Sequence, residues 1–291
     1  ERHGKARRLI RKLCESSDRL PSSLFITGVS ERGEYPTCAG GYGDIYRSSY
    51  NSKPVALKHV RHFLWSSDSD MRRTRLKFCR EALVWRDLQH PNILPFIGID
   101  RQSFPSSLCM VSPWMDHGTV LDYLKKHGRA DVDKLLFEIA QGLQYLHSRN
   151  IVHGDLRGAN ILINEDWNAC LADFGLSVFS NATASMHTSN RAGSLRWMAP
   201  ELIDPDRFGT KFGRTPASDV YAFGCVCVEL YTGRPPFSEL SEVVALLKIV
   251  VHGERAERPS AMSDMLWERV MKYWADNPAA RPVAEVVVED M

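Results

Sequence analysis

Between residues 131 and 149 the apolar side chains Val132, Leu135, Leu136, Ile139, Leu143 and Leu146 recur at i, +3, +4, +7, +11 and +14. That spacing lays one stripe along a helix and predicts that it packs on the core of a C-terminal lobe. Residues 218–231 (SDVYAFGCVCVELY) are apolar nearly all round, the pattern of a helix buried at the centre of a lobe, with Gly233 and Pro235 ending it. Further helices are predicted at 240–250 and 263–274, and a last one after Pro282. Towards the N-terminus the period changes. From Ser23 to Arg61 short β-type runs alternate with Gly, Pro and Ser, residues 72–89 read as a helix stopped by His90 and Pro91, and strand-like runs follow at 93–99 and 108–112. Residues 5–16 place Leu9, Ile10 and Leu13 opposite a basic face, the mark of a short amphipathic helix before Pro21. No internal repeat is evident. The shift from strands to helices at 113–118 marks a lobe boundary and predicts an α+β chain of two lobes sharing a cleft.

Composition narrows the class. A chain of 291 residues, 44% hydrophobic and 25% charged, is large enough to bury a sizeable core and carries no disorder signature. The net charge of +2 gives no ground for nucleic-acid or anionic-membrane binding, so partners are sought in local sites. The seven cysteines are scattered without a C-x-x-C pair, which points to reduced thiols in a reducing compartment rather than to disulfides or zinc. Cys225 and Cys227, at i and i+2, face different sides of a helix and are assigned to core packing. No apolar run is long enough to span a bilayer and no signal peptide opens the chain, so a cytoplasmic or nuclear setting is expected.

Candidate chemistry follows a requirement. Phosphoryl transfer needs cations against phosphates, oxygen ligands for a metal ion and a carboxylate to orient the attacking hydroxyl. The run CAGGYGDI at 38–45, with Cys38, Ala39, Gly40, Gly41, Tyr42, Gly43 and Ile45, sits between strand-like segments where small residues let backbone approach phosphates. By itself such a turn is more often a plain hairpin. VALK at 55–58 puts Lys58 in a half-buried strand, where it needs an anionic partner; Glu81 in the following helical segment can supply one and aim the ammonium at phosphates. The strongest signal is HGDLRGAN at 153–160, followed 18 residues after Asp155 by DFG at 173–175, with APE at 199–201 closing the segment.

Taken in order, these five motifs resemble the protein-kinase catalytic domain across residues 37–290. The resemblance implies an N-terminal extension at 1–34, an N-lobe at 35–115 with an antiparallel sheet and one main helix, and a mainly helical C-lobe at 116–291. It further implies ATP and Mg²⁺ as cofactors, a protein substrate, no nucleic acid and no membrane segment; the oligomeric state stays open. Asp155 takes the role of catalytic base, Asn160 and Asp173 become Mg²⁺ ligands, and Arg157 stabilises the γ-phosphate where serine/threonine kinases usually carry lysine. Asp219, early in the buried helix, is expected to accept backbone N–H groups of the catalytic loop, and Arg281 to pair with Glu201. The run at 108–118 resembles the last strand and hinge: Pro113 and Met115 offer backbone to adenine, Ala56 and Leu162 pack on its faces, and Ser112 is a small gatekeeper.

GSLRWMAPE at 193–201 and HPNILPFIG at 90–98 look most like the tyrosine-kinase-like group, whose members usually phosphorylate serine or threonine, and HGDLRGAN with the LPSSLFITGV leader resembles fungal members. Ser194 stands where such kinases place a hydroxyl that bonds the catalytic aspartate. There are two departures: Gly154 replaces the arginine usual before that aspartate, predicting weak dependence on activation-loop phosphorylation, and Cys38 replaces the first loop glycine. Alternatives at this stage are a pseudokinase scaffold and a tyrosine-specific kinase.

Overall fold

In a computed structural model of the chain, the described residues are 14, 17, 20–40, 43–59, 68–104, 107–174, 178–179, 194–209 and 211–291. The helix expected at 5–16, loop residues Gly41 and Tyr42, Gly175 and most of 177–194 lie outside them. The chain divides into two compact units, residues 1–89 with 94–115, and residues 90–93 with 116–291.

The first unit carries a five-stranded antiparallel sheet in the order β1-β2-β3-β5-β4. Its strands are β1 (Cys38–Gly40), β2 (Gly43–Tyr50), β3 (Lys53–His59), β4 (Gly98–Asp100) and β5 (Cys109–Pro113). Alternation along β3 decides what each face does. Val55 and Leu57 point with Cys109 and Val111 into a buried cluster flanked by Ile26, Val29, Tyr46 and Ile97. Ala56 and Lys58 therefore point to the other face, where register sets Lys58 between Ile45 and Met110 and Ala56 opposite Ser112. A long helix, α1 (Asp68–Trp85), buries Phe78, Cys79, Glu81, Ala82 and Trp85 along one side.

In the second unit the helices are α2 (Val120–His127), α3 (Val132–Ser148), α4 (Pro200–Ile203), α5 (Pro216–Thr232), α6 (Glu242–Val250), α7 (Asp264–Tyr273) and α8 (Ala284–Asp290). Two small antiparallel pairs join them: β6 (Ile151–Val152) with β9 (Val178–Phe179), and β7 (Ile161–Ile163) with β8 (Ala169–Leu171). The stripe read from 131–149 is buried as predicted. Helix α5 is buried from Ser218 to Leu230 and includes both Cys225 and Cys227; burial pushes the Cys225 thiol up to about 12 and so leaves it protonated. Thr215 caps this helix with a box closed by Ser218.

Several boundaries differ from the sequence reading. Helix α1 stops at Trp85, five residues short of His90, because the Trp85 indole donates to Leu94 O at 2.6 Å and the chain turns to make that contact. The strand expected at 93–99 shrinks to β4. Pro95 has no N–H to give, and Ile93 makes a single parallel bridge to Leu171. Residues 90–93 belong to the second unit, where Asn92 Nδ2 donates to Ala169 O at 3.0 Å and Leu171 N to Asn92 O at 2.9 Å. Among the described residues no helix is long and apolar enough to cross a membrane.

Candidate active site

On the face of β3 turned away from the core, Lys58 Nζ lies 2.6 Å from Glu81 Oε1, with the two side chains 13% and 8% exposed. A lysine so enclosed requires a carboxylate, and α1 provides it. Around this pair, Cys38 and Ile45 sit opposite one another in register, Gly40 pairs Gly43, and Ala56 pairs Ser112. Cys38 is exposed, and Ser112 is buried next to Pro113 at the end of β5.

The stretch 153–160 lies between β6 and β7, and the start of its backbone hangs on one carboxylate. Asp219, in the first turn of α5, accepts from His153 N at 2.8 Å and Gly154 N at 2.9 Å, while His147 Nε2 lies 2.9 Å from the same group. Asp219 is 1% exposed, so it needs these donors to remain inside. This is the role the sequence assigned to it; the contribution of His147 was not foreseen. The His153 ring carries the next link. Its Nδ1 accepts from Asp155 N at 3.2 Å, which leaves Nε2 to carry the proton that meets Ala172 O at 3.0 Å.

Asp155 is then fixed by Asn160, whose Nδ2 donates both to Asp155 O at 2.8 Å and to Asp155 Oδ2 at 2.9 Å. Arg157 Nε stands 3.7 Å from the same carboxylate oxygen, an ion pair without a hydrogen bond. Ser194 is buried, yet among the described residues its hydroxyl makes no bond to Asp155, contrary to expectation. Asp173 is half-buried and holds a left-handed φ of 62°, uncommon for a residue with a side chain.

Glu229 and the need for glycine at 158 also went unrecognised in the sequence. Glu229, on α5, accepts from Gly158 N at 2.8 Å and from Trp197 Nε1 at 2.9 Å, tying the 153–160 loop to the segment at 195–197. Burial pushes its carboxyl up to about 7, outweighing the pull of those two donors. Gly158 has to lack a side chain: an added Cβ would lie 2.9 Å from Leu121 Cγ and 3.0 Å from Glu229 Cδ. The available signal was a lone carboxylate near the end of an otherwise apolar helix. At the end of the 173–201 segment, Glu201 and Arg281 form a two-pronged pair at 2.7 and 2.8 Å, as the resemblance implied.

A family model for protein tyrosine and serine/threonine kinases matches residues 36–291. The chain belongs to that family. Among its relatives, serine/threonine-protein kinase STY46 of Arabidopsis thaliana is 32% identical over 257 residues, covering 87% of this chain and 42% of the relative. Serine/threonine/tyrosine-protein kinase HT1 of the same plant is 30% identical over 249 residues (84% and 61%). Mouse serine/threonine-protein kinase TNNI3K is 30% identical over 259 residues (87% and 30%). The chain thus spans less than two thirds of the length of each. These relatives agree with the tyrosine-kinase-like group read from the motifs. Membership of the kinase family implies ATP, a divalent metal and a protein substrate.

The residues suit such a metal. Asn160 commits its Nδ2 to Asp155, which leaves its Oδ1 available as a neutral oxygen donor, and Asp173 would add a carboxylate. An all-oxygen donor set favours a hard cation.

Proposed function

We propose that the chain is a protein serine/threonine kinase that transfers the γ-phosphoryl group of Mg-ATP to a protein hydroxyl in intracellular signalling. The observation that carries this reading is the Asp155 carboxylate, clamped by Asn160 in a loop suspended from the buried Asp219. A carboxylate held this way is preorganised to accept the proton of an incoming alcohol. Lys58, braced by Glu81, holds the α- and β-phosphates, and Arg157 meets the charge of the group in transfer. Asn160 and Asp173 would hold Mg²⁺, which neutralises phosphate charge when bound. The backbone of Pro113 and Met115 receives adenine, Ala56 and Leu162 cover its faces, and Ser112 controls the space behind it. The run Cys38, Ala39, Gly40, Gly41, Tyr42, Gly43 and Ile45 is assigned to the phosphates.

Serine/threonine choice rests on the names of the relatives. Phosphoamino-acid analysis of a generic protein substrate labelled from γ-labelled ATP tests it. Label on phosphoserine and phosphothreonine is expected, and label confined to phosphotyrosine would overturn the assignment.

A further inference from the structure

Gly154 stands where the family pattern carries an arginine, and it adopts φ of 80°, a region glycine enters without strain. A residue this permissive makes the peptide between 154 and 155 the softest link before Asp155. Rotation of that peptide plane would re-aim the carboxylate. The structure holds the plane at both ends. Its N–H, on Asp155, donates to His153 Nδ1 at 3.2 Å, and its carbonyl, on Gly154, accepts from Arg214 Nε at 2.9 Å. Arg214 comes from a different element, the segment just before α5, and is only 8% exposed, which is rare for arginine. Its guanidinium carbon lies 5.8 Å from the Phe212 ring centroid, and it lines one pocket with Gly154, Asp155, Ser194 and Asp219.

Resting on the kinase reading above, we infer that Arg214 is a positioning residue for Asp155. A charged donor brought from 214 pins the carbonyl that a glycine at 154 leaves loose, so the cation missing from the catalytic loop is replaced by one from the neighbouring segment. Its action passes through the peptide plane and touches neither nucleotide nor metal.

Arg214→Met keeps an apolar stem beside Phe212 and removes the donor. Its kcat is expected to fall about 10- to 100-fold, the scale of a small misplacement of a catalytic group, with KM for ATP within about twofold of wild type. In an Asp155→Asn background the same substitution should add less than about twofold, because the group it positions is already disabled. Should the methionine variant fail to fold, Arg214→Lys, a point charge without the planar fork, enters the same cycle. A kcat deficit that vanishes when Asp155 is replaced supports the inference. Wild-type kcat, or a deficit that persists in that background, overturns it while leaving the kinase assignment intact. Absence of transfer by the unmodified chain would instead overturn the assignment itself.

Discussion

Glu229 shows how one buried atom links chemistry to stability. Its carboxyl has an ordinary value of 4.5 and is pushed up to about 7 by desolvation in the folded chain. Between those values the folded state binds more protons than the unfolded state. Its stabilising contribution is therefore complete below about 4.5 and is lost as pH climbs to about 7, a loss of roughly 3 kcal/mol. Protonation leaves Oε2 able to accept from both Gly158 and Trp197, so neutralising the residue keeps the loop tied. Glu229→Gln is expected to melt near the wild-type temperature at pH 5 and several degrees above it at pH 8; equal differences at both pH values would contradict this. Lys58 is the second test at this scale. Replacing it with methionine removes the ammonium that Glu81 holds at 2.6 Å and that the proposal sets against the phosphates, so phosphoryl transfer should drop at least about a hundredfold in a labelled-ATP assay. Transfer within twofold of wild type would show that this lysine does not face the nucleotide.

At the scale of elements, the fold converts alternation into function. One face of β3 is spent on Val55 and Leu57 in the core, which leaves Lys58 on the face that meets Glu81 of α1. That was legible in part: period-two alternation sets Lys58 apart from Val55 and Leu57, while the resemblance to kinases singles it out from Lys53 in the same strand and points to Glu81. The ends of α1 and β4 were not, because they depend on where the Trp85 indole lands and on Pro95, contacts made between distant positions. Glu229 and Arg214 stayed hidden for the same reason: each reaches a catalytic-loop backbone group from far along the chain. The Glu201–Arg281 pair, by contrast, came from the resemblance to kinases. Arg281→Ala leaves Glu201 buried and unpaired, and denaturant titration should show a loss of about 3–5 kcal/mol. Replacing both partners with apolar residues is expected to cost less than either single change. A double variant as unstable as the sum of the singles would rule out their coupling.

For the whole molecule, Gly154 bears on regulation. An arginine at that position would give a phosphate on the 177–194 segment a guanidinium partner; glycine offers none from within the catalytic loop. Phosphatase-treated protein is thus expected to keep at least about half of its kcat, since one exposed charge contact contributes little. An activity abolished by that treatment, and restored on rephosphorylation, would contradict this. The central claim, that Asp155 serves transfer from ATP to a protein hydroxyl, is tested most directly by following γ-labelled phosphate into a protein substrate with wild type and Asp155→Asn side by side. The account predicts incorporation by the wild type and a fall of about a hundredfold or more in the variant. Equal incorporation by the two would contradict it.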